Sequence, residues 1–330
     1  MNPVALFIGG HTIFWNAIVI ALGAAACFFL TMSLFTAHGG KAVAVWLLLP
    51  LGVALSLVFA RAIHWYCHSE QYASFKAAVT DYSAGGYCLF GAVLGVALAG
   101  LIVRALGFTQ NLRRLYDCLA PGAALGVALI RLSDLFTVAN RGKIVIDDPT
   151  FQRLPFATRL STANGAEEWR FASFFLQFLL MLLVFVLLLR FFTRRRRWPM
   201  KDGQPRDGNV ALMFLAWFGA VDLVTDSMRY DSSFIPLNGF VSLVQIVSAA
   251  ALLAVLVIYS VRSIRANGLR FYHWLLWLGF LLLLGGIGVM EYLVQRHGNW
   301  YLSCYLGMSA CSFLITVIDG LCYRTVCRKR

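Results

Sequence analysis

Nine apolar stretches of about twenty residues recur along this chain, near residues 12–35, 43–60, 86–103, 115–136, 171–192, 209–228, 239–261, 271–292 and 299–322. A helix rises about 1.5 Å per residue, so roughly 20 apolar residues cross a hydrocarbon core about 30 Å thick. The runs are continuously apolar rather than alternating, which favours helices over a barrel. Composition agrees: 60% of the 330 residues are hydrophobic and 13% charged, where a soluble domain carries roughly 25% charged residues. The expected fold class is an all-α polytopic membrane protein of about nine spans. The uncharged Met1–Gly10 lacks the basic region and cleavage site of a signal peptide, so the first run is expected to be a retained span. The eight cysteines contain no CxxC pair and mostly fall inside apolar runs, as small core hydrophobes do.

The net charge of +13, with 28 basic and 15 acidic residues, needs a separate explanation. With the N-terminus outside and the C-terminus inside, 18 basic residues fall on the inner side, including the run Arg194–Arg197, together with Lys201 and Arg206 and the Arg328–Arg330 terminus. The other ten share the outer side with eleven acidic residues. The imbalance then follows the positive-inside rule, and nucleic acid is not needed to account for it.

Several ionisable residues sit within or at the outer ends of spans, where a charge costs at least roughly 2.5 to 3.5 kcal/mol and so needs an interfacial escape or a partner. Arg131 and Asp134 share a face of the fourth span; Asp222, Asp226 and Arg229 share one of the sixth; Arg61, His64 and His68 form a stripe where the second emerges. Snorkelling to the headgroups accounts for any one of them. Arginines beside carboxylates at one depth in three helices suit a phosphodiester headgroup, because guanidinium forks grip phosphate oxygens in pairs. The ligand expected is an anionic phospholipid, in a site between spans two, four and six.

The segment from Asp117 to Arg131, DCLAPGAALGVALIR, resembles the fourth-helix signature of the prolipoprotein diacylglyceryl transferase family. In the same order, Ala60-Arg61, Gly85-Gly86 through Gly91 and Gly95, Gly219–Arg229 and the Ser242-x-x-Gln245 opening of the seventh span resemble further family segments. The likeness covers about residues 12–262. It divides the chain into a seven-helix transferase-like membrane domain, 1–268, and two additional helices, 269–330.

The resemblance implies transfer of the diacylglyceryl group of phosphatidylglycerol, or a related anionic phospholipid, to a lipobox cysteine of a lipoprotein precursor. Glycerol phosphate is released at the outer face of the bacterial cytoplasmic membrane. Arg131, Arg229 and Arg61 match functional positions, and Asp134, Ser242 and Gln245 are expected to join them in binding the substrate. The departures are Phe90 in place of the family histidine, Asp134 in place of an asparagine, Ala139 in place of an acidic residue, Asn16 in place of a tyrosine and the shorter Asp226 in the sixth-helix motif. The segment Arg170–Phe175 also lacks the family's His-Pro and Tyr-Glu pairs.

Thiol attack needs the thiolate, and with Phe90 unable to take a proton the candidate bases are His64, His68 and Asp226. His64 and His68 beside Cys67 and Glu70 lack a further ligand of suitable geometry, so no metal is expected, nor any cofactor. Glycines 91, 95, 100, 122 and 126 put small residues on the faces of the third and fourth spans, for close helix packing. The polar segment Thr137–Trp169 is expected to cap the site from outside. The alternative to catalysis is a phospholipid-binding paralogue that kept the phosphate grip and lost the base, recruiting partners through spans eight and nine.

Overall fold

The computed structural model describes residues 3–80, 86–161, 167–194, 207–234, 239–298 and 300–327. Asp81, Gly85, Arg195–Arg197, Lys201, Arg206 and Arg328–Arg330 lie outside the described residues.

The chain opens with an antiparallel hairpin, β1 (Val4–Ile8) and β2 (His11–Phe14), leading into α1 (Trp15–Thr36) and α2 (Ala42–Cys67). A short helix α3 (Phe75–Thr80) precedes α4 (Leu89–Ala105) and α5 (Leu112–Ser133). The connection that follows holds α6 (Pro149–Gln152) and a hairpin of β3 (Ala157–Ser161) with β4 (Glu167–Phe171), ahead of α7 (Ser173–Arg194). The rest is α8 (Asn209–Ser227), α9 (Leu243–Asn267), α10 (Phe271–His297) and α11 (Tyr301–Val326).

Each of the nine apolar stretches is a helix, and eight are long and apolar enough to cross a membrane. The third stretch forms the shorter α4, whose 17 residues span about 25 Å, at the lower limit for a crossing. Because α10 carries a run of exposed side chains, Leu275, Leu278, Leu281 and Leu282, it presents an apolar face that lipid would cover.

Packing follows the small residues. A Cβ on Gly91 would lie 2.5 Å from the carbonyl oxygen of Phe59, and one on Gly95 2.5 Å from the backbone of Leu55, so α2 and α4 touch backbone to backbone only because both positions are glycine. Ser56 of α2 donates to the Ala92 carbonyl across the same seam, at 2.9 Å. Gly122 meets Cys27 and Thr31 in the same way and draws α1 onto α5.

The long buried helices are α5 and α8, and Asp117, Arg131, Asp222 and Asp226 on them are withdrawn from lipid. Where α8 begins, Asp117 of α5 accepts from the backbone N–H groups of Gly208, Val210 and Ala211 at 2.7 to 2.9 Å. This satisfies the orphan donors of the helix N-terminus and places a negative charge at its positive end. The first turn of α9 is fixed by a capping box in which Ser242 and Gln245 bond reciprocally. These two constraints set the depth of α8 and α9, and with it the height of every charged residue on them.

Candidate functional site

At the end of the bundle where α5 and α8 finish and α7 and α9 begin, buried charges form one connected layer. Arg131, 5% exposed, lies between Asp134 on its own helix at 3.6 Å and Asp222 of α8 at 3.8 Å. Gln177 of α7 donates to the same Asp222 oxygen at 2.6 Å. Asp134 takes a second bond, 2.6 Å, from the amide of Asn140. Asn140 stands at positive φ, a conformation that asparagine tolerates better than most residues. Its backbone N–H reaches Asp231 at 3.0 Å, and its carbonyl accepts from Ser173 at 2.7 Å.

Arg229 makes the second half of the layer, with Nη1 3.0 Å from Asp226 and Nε 3.1 Å from Asp231. The other oxygen of Asp226 accepts from Ser242 at 2.5 Å. Both oxygens of Asp226 are therefore occupied. Gln245 holds Ser242 in this position through the α9 capping box, so it supports the site from behind.

Arg61 is fully buried but meets carbonyls. Its Nε donates to Ala78 at 2.7 Å and its Nη1 to Gly86 at 3.0 Å and the Tyr72 hydroxyl at 3.2 Å, with the guanidinium over the rings of Tyr72 and Tyr87. It ties α3 and the approach to α4 onto α2. His64 and His68 stack at 4.3 Å, and Tyr72 lies 3.1 Å from His64 Nδ1. His64 feels the charges of Arg229 and Asp231 but touches neither. The structure thus joins Arg131, Arg229, Asp134, Asp226, Ser242 and Gln245, and sets Arg61, His64 and His68 to one side. Phe90, expected from the resemblance to replace a histidine, is buried with its ring 4.8 Å from that of Phe218 in an apolar contact.

Sequence reasoning did not assign Asp222, Gln177, Asn140, Arg141, Lys143, Asp231 or Glu291 to the site. Asp222 carried a signal, since it is four residues before Asp226 on one face. Glu291 did too, as a carboxylate inside an apolar run, and it accepts from the Ser227 hydroxyl and from Gln295. Arg141 and Lys143 lie in the Thr137–Trp169 segment expected to cap the site, but nothing in the sequence singled out either residue. Residues 141–146 lie between two neighbours: Lys143 N–H bonds the Met228 carbonyl at 2.8 Å, Tyr230 N–H that of Arg141 at 2.7 Å, and Ile146 N–H that of Trp169 at 2.8 Å. The segment after Thr137 is therefore held against the end of α8 by an isolated bridge, Gly142 with Arg229.

Chemically, the layer offers guanidinium donors and carboxylate acceptors screened from water, where electrostatic contacts are strong. Several atoms have no partner among the described residues: Nε of Arg131, Oδ2 of Asp222, Oδ1 of Asn140, Nε and Nη1 of Arg141 and Nζ of Lys143. Asp231, outside the spans, is pushed up by burial but drawn further down by Arg229 and the Asn140 N–H, so it sits below the usual carboxylate range. Among the described residues, no group of three or more histidine, cysteine or acidic side chains is arranged to hold a metal.

The family model described as prolipoprotein diacylglyceryl transferase matches residues 3–261, ending ahead of α10. Three phosphatidylglycerol–prolipoprotein diacylglyceryl transferases of Streptococcus pyogenes, from serotype M5 strain Manfredo, serotype M49 strain NZ131 and serotype M18 strain MGAS8232, are each 24% identical over 279 residues. Each alignment covers 83% of this chain and 99% of the relative. With its apolar helices, its buried charged layer and a match over most of its length, this chain is a multi-pass membrane protein that belongs to the prolipoprotein diacylglyceryl transferase family.

Proposed function

We propose that this chain transfers the diacylglyceryl group of an anionic phospholipid, phosphatidylglycerol being the one in its relatives' names, to the cysteine thiol of a lipoprotein precursor. The observation that carries this reading is the Arg131–Asp222 pair. One N–H of Arg131 and one oxygen of Asp222 are both buried and both without a partner among the described residues. A buried donor and acceptor left open together cost free energy unless a ligand uses them. The thiol proton passes to Asp222 Oδ2, and the sulfur attacks the glycerol carbon that bears the phosphate. A C–S bond forms as the C–O bond breaks, and glycerol phosphate departs with the electron pair, its charge met by the cations of the layer. Asp226 is the less available proton acceptor, since Arg229 and Ser242 take both its oxygens.

The supporting orientation puts the N-terminus and the charged layer outside and the C-terminus inside, from the partition of basic residues. A reporter fused after Arg330 should be active only inside. We also take residues 1–268 as the transferase-like unit and 269–330 as an addition that reaches the layer through Glu291.

The test is thioether formation on a lipobox peptide with phosphatidylglycerol, followed by mass. Wild type should form it, and Asp222→Asn should lose at least about 100-fold in rate, the usual contribution of a positioned base, while still retaining the lipid. Wild type that binds phosphatidylglycerol but forms no thioether defeats transfer and leaves the second reading, a non-catalytic phospholipid-binding member of the family. The packing of Phe90 on Phe218 favours that reading, since no proton acceptor stands there. Under it neither His64→Ala nor His68→Ala changes anything measurable in the assay.

A further inference from the structure

Arg131 and Arg229 each face two carboxylates, so a phosphate approaching either one meets acids already in place. Arg141 and Lys143 differ. Arg141 is 8% exposed, and among the described residues its guanidinium bonds only the Thr137 carbonyl, at 2.7 Å, with the Phe174 ring 5.9 Å away. The ammonium of Lys143 lies 5.4 Å from the ring of Phe234. Three of their nitrogens, Nε and Nη1 of Arg141 and Nζ of Lys143, are closed to water and without a partner among the described residues. Asp134 is within electrostatic reach of Arg141, and Glu291 and Asp226 of Lys143, but none is in contact with them. The two residues flank Gly142, which is bridged to Arg229, so both are anchored beside the end of α8. Buried cations without a counter-ion are costly unless an anion arrives to pair with them.

We infer that Arg141 and Lys143 form the phosphate grip of this protein, an added pair of cations on the capping segment that takes the phosphate of a lipid headgroup or of a free phosphate ester. Resting on the proposed function, this divides the labour of the layer: Arg141 and Lys143 hold the anion, while the Arg131–Asp222 pair faces the reacting thiol. Since the three nitrogens are screened from water, the anion reaches them when the segment from Thr137 lifts from the end of α8.

Burial pushes both groups below their ordinary values, as befits cations awaiting an anion. Arg141→Met and Lys143→Met remove the charge and keep the bulk. In detergent without lipid each should unfold at the wild-type temperature or above it. Each should bind phosphatidylglycerol about tenfold more weakly, the loss of one charge-assisted contact, and diacylglycerol as well as wild type does. Arg141→Lys, which folds with the charge kept, should still weaken binding because the fork is gone. Stabilisation of wild type by phosphatidylglycerol alone identifies a lipid headgroup, and stabilisation by glycerol phosphate and inorganic phosphate as well identifies a free phosphate ester; either supports the grip if the Met variants abolish it. Met variants that unfold at lower temperature yet bind phosphatidylglycerol like wild type overturn it, as does thioether formation at the wild-type rate by both, which leaves transfer standing. Absence of thioether in wild type with phosphatidylglycerol binding still dependent on Arg141 defeats transfer and supports the grip.

Discussion

Where α8 begins, Asp117 gives its oxygens to three backbone N–H groups, Arg114 pairs with Asp207 at 3.2 Å, and Arg262 donates to Asn209 at 2.8 Å. Where α8 ends, Asp222 is buried as deeply as Asp117, yet Arg131, Asp222, Arg141 and Lys143 retain polar atoms with no partner among the described residues. Burial alone therefore does not distinguish a structural charge from one held for a ligand. The distinction lies in satisfaction: one end uses its charges to fix helix termini, and the other leaves donors and acceptors open. Asp319 in α11 stands apart from both ends, with neither oxygen partnered among the described residues.

The largest effect is expected at Arg229. Arg229→Ala leaves Asp226 and Asp231 without their cation, and breaking a buried pair of this kind costs about 3 to 5 kcal/mol. The apparent Tm in detergent should fall steeply, and phosphatidylglycerol retention with it. A variant as stable as wild type would mean that this arginine is as uncommitted as Arg141, and would break the contrast within the layer.

Asp117→Ala, at the satisfied end, should cost about 2 to 3 kcal/mol through the lost cap of α8, with the affinity for phosphatidylglycerol unchanged in the fraction that stays folded. Lipid binding that falls in step with stability would show the two ends to be coupled. Asp222→Asn should cost less stability than Arg229→Ala, because Arg131 keeps Asp134 and the amide oxygen still accepts from Gln177, while thioether formation is lost. A large loss of stability here would recast Asp222 as a structural residue like Asp117.

The smallest effect belongs to Asp231, which is partly exposed at the edge of the layer. Its carboxyl lies below the ordinary value in the folded chain, so the stability it confers is present above the unfolded value near pH 4 and is lost as pH falls through the folded one. Asp231→Asn should cost less than about 1 kcal/mol at pH 7 and flatten the acid limb of the stability profile. An unchanged acid limb would remove Asp231 from the network.

The sequence alone determined the number of apolar helices and the grouping of Arg131 with Asp134 and of Asp222 with Asp226 and Arg229, because hydropathy, helix period and end charge are local properties that survive any arrangement of neighbours. The glycines at 91 and 95 likewise announced a close crossing, though the partner, α2, was not named by them. Only the tertiary structure decided which carboxylate each arginine meets. Arg131 and Asp222 lie far apart along the chain, and a rotation of either helix about its axis would separate them. The fold alone turned Arg61 to the carbonyls of Ala78 and Gly86, laid Phe90 on Phe218 and bonded the backbone of Arg141 and Lys143 to residues 228 and 230. A side chain's charge is written in its residue type; whether that charge is cancelled depends on which atoms packing brings within about 4 Å, and no local pattern encodes that distance.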